Sequence, residues 1–125
     1  MSLEENKIKE ELFQKGLNSF NSSNFYDAHE YWEELWLDYK LEDAAFIQGL
    51  IQLSVSYFHY FNGNMKGARS MIRKCLTKFS EYESARGIDV MQLKSEIQTV
   101  INCYNNVEIT IDNNIYIIIL KVIHE

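Results

Sequence analysis

The chain has 125 residues, of which 46% are hydrophobic and 14% aromatic, which excludes a disordered protein and predicts a single domain over residues 1–125. The formal net charge of −6 at pH 7 argues against general binding to nucleic acid or to an anionic membrane. Proline is absent and glycine is scarce, which favours helix along most of the chain.

The cysteines and the apolar segments predict a cytoplasmic location. Cys75 and Cys103 stand alone without C-x-x-C spacing, as expected for free thiols in a reducing compartment. The first residues lack the basic and apolar regions of a signal peptide. The longest apolar run, 115–123, contains Lys121 and is too short to span a bilayer. We therefore expect no membrane partner.

Apolar residues at helical spacing predict five helices, and four of these have an N-cap signal in Ser2, Asn24, Asn64 and Asp89. The second helix should end near residue 39, and the third should cover residues 44–61. The third helix is apolar on nearly all sides, which predicts that it lies at the centre of the domain. Gly49 within it would let a neighbouring backbone approach closely.

Residues 24–29 and 64–69 are similar to each other at a shift of forty positions, and both follow a Phe-Asn pair. This echo predicts two antiparallel helical hairpins of tetratricopeptide type. The fold class predicted is therefore all-α, a compact bundle of about five helices built from two such hairpins.

A different pattern begins at residue 107, where Val107, Ile109 and Ile111 alternate with polar residues. A turn at residues 112–114 and the β-branched run 115–123 follow. Residues 107–125 should form a hairpin or an extended arm. An isolated hairpin is marginal in water, so this arm should pack on the helices or on a second copy, as in a homodimer.

Both tryptophans fall in the stretch 28–36. Helical geometry places Trp32 and Trp36 on one apolar face as core anchors, whereas His29 and Glu33, one turn apart, can touch each other. On the third helix Gln48, Gln52 and His59 fall within an arc of about 40°. The short connection between the two helices predicts antiparallel packing. The predicted site is this polar seam: His29, Glu33, Trp36, Gln48, Gln52 and His59.

Two interpretations of the seam stay open from the sequence. Amide groups, a His–Glu pair and indole rings are typical of a small polar-ligand site. Buried glutamines also need hydrogen-bond partners, so the same residues could satisfy one another in an internal network centred on His29 and Glu33. We predict a non-enzymatic binding or interaction domain, with a small polar ligand or a protein as partner and the seam as its site or its organising core.

The alternative function is a metal-dependent enzyme. His29, Glu33 and His59 would form a two-histidine, one-carboxylate site for a divalent transition metal, with Glu30 as acid–base. However, Glu33 stands where the H-E-x-x-H motif needs its second histidine, and the chain has no Glu-x-x-His pair. No catalytic signature is recognised, and no cofactor is predicted.

The fourth helix carries a basic face. Its cations are Lys66, Arg69, Arg73, Lys74 and Lys78. A solvated face is the simplest interpretation. The alternatives are contact with the acidic face of the second helix in another subunit or a partner, and nucleic-acid binding, for which interleaved aromatic residues are lacking.

Four separated motifs resemble the domain-of-unknown-function 309 family of small helical bacterial, archaeal and plastid proteins, over roughly residues 16–76. The motifs are Phe25-Tyr26-Asp27-Ala28-His29-Glu30-x-Trp32-Glu33-x-x-Trp36, Phe46-Ile47-Gln48-Gly49-Leu50-Ile51-Gln52-Leu53, His59, and Gly63-Asn64-x-x-Gly67-Ala68. The resemblance implies a compact helical fold and carries over no activity. The C-terminal arm lies outside it.

Overall fold

The computed structural model describes residues 2–106, 108 and 114–123. Five helices make up most of this part of the chain, and the all-α prediction is confirmed. They are α1 (Leu3–Asn21), α2 (Phe25–Asp38), α3 (Ala44–Phe61), α4 (Met65–Phe79) and α5 (Val90–Tyr104). Within the described ranges, none of the helices combines the length and apolar character needed to cross a bilayer.

The four predicted N-caps are confirmed, each by a side-chain oxygen that accepts from the backbone N–H three residues later. The donor–acceptor distances are 3.0 Å for Ser2, 3.5 Å for Asn24, 2.9 Å for Asn64 and 3.0 Å for Asp89. Because these bonds are local, residue type and position were enough to place the start of four helices.

The two predicted helical hairpins are present, and their turns repeat the same hydrogen bonds forty residues apart. Asn24 N–H donates to Ser19 O at 2.8 Å, and Asn64 N–H donates to His59 O at 2.8 Å. The preceding residue has a positive φ in both turns, 61° at Ser23 and 77° at Gly63. The echo in the sequence therefore reflects one turn geometry used twice.

Helix α3 lies between α2 and α4 and packs on both. Phe25 of α2 stacks on Tyr57 with a centroid distance of 4.7 Å. On the other side, Ser56 Oγ donates to Ala68 O of α4 at 2.8 Å. The fully or nearly fully buried residues of α3 are Phe46, Ile47, Gly49, Leu50, Leu53, Ser54, Ser56, Tyr57 and Tyr60. The prediction of a central third helix is confirmed.

The sequence predicts a close approach of a neighbouring backbone at Gly49. The structure shows the close approach of an aromatic ring instead. A Cβ at this position would lie 2.6 Å from Cε1 of Phe79. The glycine gives space to an aromatic side chain of α4, so that Phe79 is fully buried.

A short hairpin that the sequence did not predict connects α4 to α5. Its strands, β1 (Ser84–Ala85) and β2 (Ile88–Asp89), pair antiparallel around Arg86 and Gly87. Both turn residues have a positive φ, 51° and 78°, which is the geometry of a type I′ turn. Arg86 is held there by Asp43, with Nε–Oδ2 and Nη2–Oδ1 distances of 2.6 and 3.1 Å.

The described part of the C-terminal arm, residues 114–123, is extended and packs on the helices of its own chain. Tyr57 Oη donates to Tyr116 O at 2.8 Å and accepts from Ile118 N–H at 3.0 Å. The Asn21 amide donates to Leu120 O and accepts from Leu120 N–H, both at 2.8 Å. The predicted first strand and turn lie outside the described residues, apart from Glu108 and Asn114.

Candidate functional site

The predicted contact between His29 and Glu33 is present. His29 Nε2 lies 2.8 Å from Glu33 Oε2, and His29 Nδ1 lies 3.2 Å from Tyr26 O. Both side chains are partly exposed, at 22% and 44%. The pair is thus held in a fixed orientation on α2 and can be reached from solvent.

The two tryptophans have different environments, and the prediction that both are core anchors is wrong for Trp36. Trp32 is fully buried, and its Nε1 donates to Phe13 O at 3.2 Å. Trp36 keeps 36% of its surface exposed. Since α2 and α3 run antiparallel and Tyr26 contacts Phe58, Trp36 is level with Gln48 of α3, and the side chains there leave part of the indole uncovered.

The remaining seam residues lie half-buried along the outer side of α3. Gln48, Gln52 and His59 are all intermediate in burial. His59 faces α4, where its Nδ1 lies 3.4 Å from Asn64 Nδ2 and its ring contacts Gly67. His29 lies on the opposite border of α3, so the structure separates the two histidines.

The predicted internal hydrogen-bond network is not formed. Gln52 Oε1 is buried and has no hydrogen-bond partner among the residues that the structure describes. Its expected partners, His29 and Glu33, bond to each other and to a backbone carbonyl.

Exposed aromatic rings connect the two histidines, and sequence reasoning did not assign them to the site. Tyr26 contacts the His29 ring and the Phe58 ring, each with a centroid distance of 5.6 Å, and Phe58 lies 6.1 Å from the His59 ring. Tyr26 is 52% and Phe58 37% exposed. One signal in the sequence could have assigned Tyr26 to the site, because Tyr26 lies on the same stripe of α2 as His29 and Glu33.

Negative charge surrounds the α2 side of these rings. A hydrogen bond to Glu30, the charge of Glu30 and smaller contributions from Asp27 and Glu33 raise the pKa of Tyr26 above its ordinary value. The phenol therefore stays neutral and lies beside carboxylates.

The described residues of the seam form neither a set of metal ligands nor a free nucleophile. Within residues 2–106, 108 and 114–123, no group of three or more His, Cys, Asp and Glu side chains could hold a metal ion, so His29, Glu33 and His59 are not brought together. Ser56 Oγ donates to Ala68 O, and burial raises the pKa of the Cys75 thiol.

Two surface cavities lie away from the seam. One of about 300 Å³ lies between α5 and the C-terminal arm, and one of about 610 Å³ is bordered by Lys40, Asp43 and Arg86. Neither is lined by a predicted site residue. The seam is an open surface with partly exposed rings.

A family model described as Domain of unknown function (DUF309) matches residues 13–71. The predicted resemblance to this family is confirmed. The DUF309 match includes the whole of α2 and α3 and therefore all six residues of the predicted seam.

The chain is also similar to a curated relative, an uncharacterized protein of Aquifex aeolicus (strain VF5). The two are 25% identical over 93 residues, which are 73% of this chain and 28% of that protein. The chain thus spans little more than a quarter of the length of this relative. Like DUF309 itself, the relative carries no described activity.

Proposed function

We propose that the protein is a non-enzymatic, cytoplasmic helical binding domain and that the α2–α3 seam is its interaction surface. The observation that supports this most is the continuous row of rings formed by His29, Tyr26, Phe58 and His59 across two helices. Exposed aromatic side chains that contact one another are enriched in protein interfaces and are rare on monomer surfaces without a role.

The form of the seam favours a protein partner over a small molecule. Small-molecule sites enclose most of their ligand in a concave pocket. Here Trp36, Tyr26 and Phe58 are partly open to solvent, and the two cavities described above lie elsewhere. The seam residues Gln48 and Gln52 add amide groups that can bond to a partner backbone.

Site-specific photo-crosslinking tests this proposal. A photoreactive phenylalanine derivative in place of Gln48 should give a discrete adduct in living cells. The same group in place of Thr99, which is exposed on α5, is the matched control and should not give that adduct.

The adduct must also depend on the rings. In the variant that carries the photoreactive group at position 48, Phe58→Ala or Trp36→Ala should remove the adduct, while circular dichroism shows an unchanged helical content. Equal adducts from Gln48 and Thr99, no adduct from either, or an adduct that survives both substitutions would overturn the proposal.

A further inference from the structure

Charge is segregated by helix across the face formed by α2, α3 and α4. Helix α2 has five acidic residues and no lysine or arginine, whereas α4 has five lysine and arginine residues and no acidic residue. Helix α3, which lies between them, has no Asp, Glu, Lys or Arg. The face is therefore negative on one border, neutral along the middle and positive on the other.

These opposite charges do not pair with each other within the chain. Within the described part of the chain, His29 pairs with Glu33 and Arg86 pairs with Asp43, and neither pair joins α2 to α4. The neutral helix keeps the two borders apart, because α2 and α4 contact different sides of α3.

The register of the helices places two of these charges at the same level. On α2, Tyr26 contacts Phe58, and Glu33 lies seven residues further along the same stripe, level with Ile51 of α3. On α4, Gly67 contacts His59, and Lys74 lies seven residues further along. Since both helices run antiparallel to α3, Lys74 is level with Gln52. Glu33 and Lys74 therefore flank the midpoint of α3.

This arrangement is self-complementary about a two-fold axis. A two-fold axis that lies in the plane of the contact and runs parallel to α3 would lay α3 on the α3 of a second copy, and α2 on the α4 of that copy. Glu33 would then meet the second copy's Lys74, because the two are level along α3, and the contact would be made twice.

Gln52 supplies an independent observation at the same place. Its buried Oε1 has no partner within the described chain, and an unpaired buried acceptor is costly. If the side chain turns outward at a two-fold axis, the amide of one copy can donate to the amide oxygen of the other. The half-buried Ile51 and Val55 beside it would provide the apolar centre of the contact.

The size of the face also fits a dimer. A helix of 18 residues such as α3 is about 27 Å long, and three helices at ordinary spacing are about 25 Å wide, which gives about 700 Å² for each protomer. Standard protein interfaces bury about 800 Å² per partner.

We propose that the α2–α3–α4 face is a two-fold homodimer interface, with a second copy of this chain as the occupant of the seam. The inference rests on the proposed function, because it names the partner of the same surface. The acidic border of one protomer lies on the basic border of the other, and Gln52 pairs with its own copy at the axis.

Sedimentation equilibrium of the purified full chain tests the proposal. The wild type is compared with variants in which the charges of Glu33 and Lys74 are reversed singly and together. Wild type should be dimeric. Glu33→Lys and Lys74→Glu should each raise the dissociation constant by about tenfold or more, because each change turns two attractive pairs into repulsive ones. The double variant should restore the dimer. Lys66→Glu makes the same change on a different face of α4 and should leave the dimer intact.

A cysteine at the axis gives a second, geometric test. In a Cys103→Ser background, Gln52→Cys should form a disulfide-linked dimer under mild oxidation, and Thr99→Cys should not. A monomeric wild type, a charge exchange without rescue, an equal effect of Lys66→Glu, or a Gln52→Cys variant that stays unlinked would each overturn the proposed interface.

The two proposals fail in different ways. A monomeric purified chain, together with a ring-dependent adduct from Gln48 to another protein, would overturn the dimer and support the binding surface. A Gln48 adduct with the mass of two chains would support both. The absence of any adduct from Gln48 would overturn the binding surface and with it the dimer.

Discussion

Asn21 is the residue that holds the C-terminal arm to α1, and its replacement by alanine gives a quantitative test of that contact. Its amide makes two hydrogen bonds of 2.8 Å to the backbone of Leu120. Asn21→Ala removes both and leaves a partly buried N–H and C=O unpaired. With a cost of about 1–3 kcal/mol for each unpaired group, less what water recovers at a partly buried site, we expect a loss of about 2–4 kcal/mol.

The arm should remain docked in this variant, so that the loss appears in global stability. Ile118 and Leu120 are 1% and 4% exposed, and burying two such side chains contributes about 3–6 kcal/mol. The middle of this range exceeds the middle of the expected loss. For a chain of this length about 3 kcal/mol lowers the melting temperature by about 10 °C.

Urea unfolding and hydrogen exchange of the Leu120 amide measure the two parts of the prediction. The matched control is Asn18→Ala, an exposed asparagine on the same helix for which no side-chain bond is described. If Asn21→Ala and Asn18→Ala change the free energy of unfolding equally, and Leu120 exchanges no faster, then the amide contact does not stabilise the arm.

Three further predictions follow from buried groups. Gly16→Ala should lower the free energy of unfolding by about 1–3 kcal/mol, because a Cβ there would lie 2.2 Å from Trp32 Nε1; an unchanged urea midpoint would contradict this. In the folded protein a thiol reagent should label Cys103 and spare Cys75, whose pKa burial raises; equal labelling rates would refute the burial argument. Burial also raises the pKa of Tyr57 above its ordinary value of 10.0, so the folded state keeps a proton that the unfolded state releases. Stability should be fully present below pH 10 and fall above it, by at most about 1.4 kcal/mol per pH unit for this group. Urea midpoints on either side of pH 10 should show a shallower fall for Tyr57→Phe.

The features that could be predicted from the sequence are those set by local contacts or by one helix alone. Asn24 and Asn64 mark helix starts because an N-cap bonds within three residues. The hydrophobic character of α3 on all sides is enough to place it in the middle. His29 and Glu33 meet because they are one turn apart.

The features that the sequence did not predict depend on contacts between distant segments. Arg86 adopts a positive φ that arginine rarely adopts, and Asp43, which is distant in sequence, holds it there. Trp36 is partly exposed because its neighbours in the fold leave part of the indole uncovered, which its place on α2 alone does not indicate. Gln52 Oε1 has no partner among the described residues, because its expected partners His29 and Glu33 bond to each other and to a backbone carbonyl of α2.

The different environments of the two tryptophans provide two separate fluorescence signals in the natural protein. Trp32, enclosed by the core and bonded to Phe13 O, should emit at short wavelength and resist quenching by iodide. Trp36, at the seam, should emit at longer wavelength and be quenched readily. In Trp36→Phe the remaining emission comes from Trp32 and reports unfolding of the core. The wild-type spectrum minus that of Trp36→Phe gives the emission of Trp36, which reports whether a partner covers the seam.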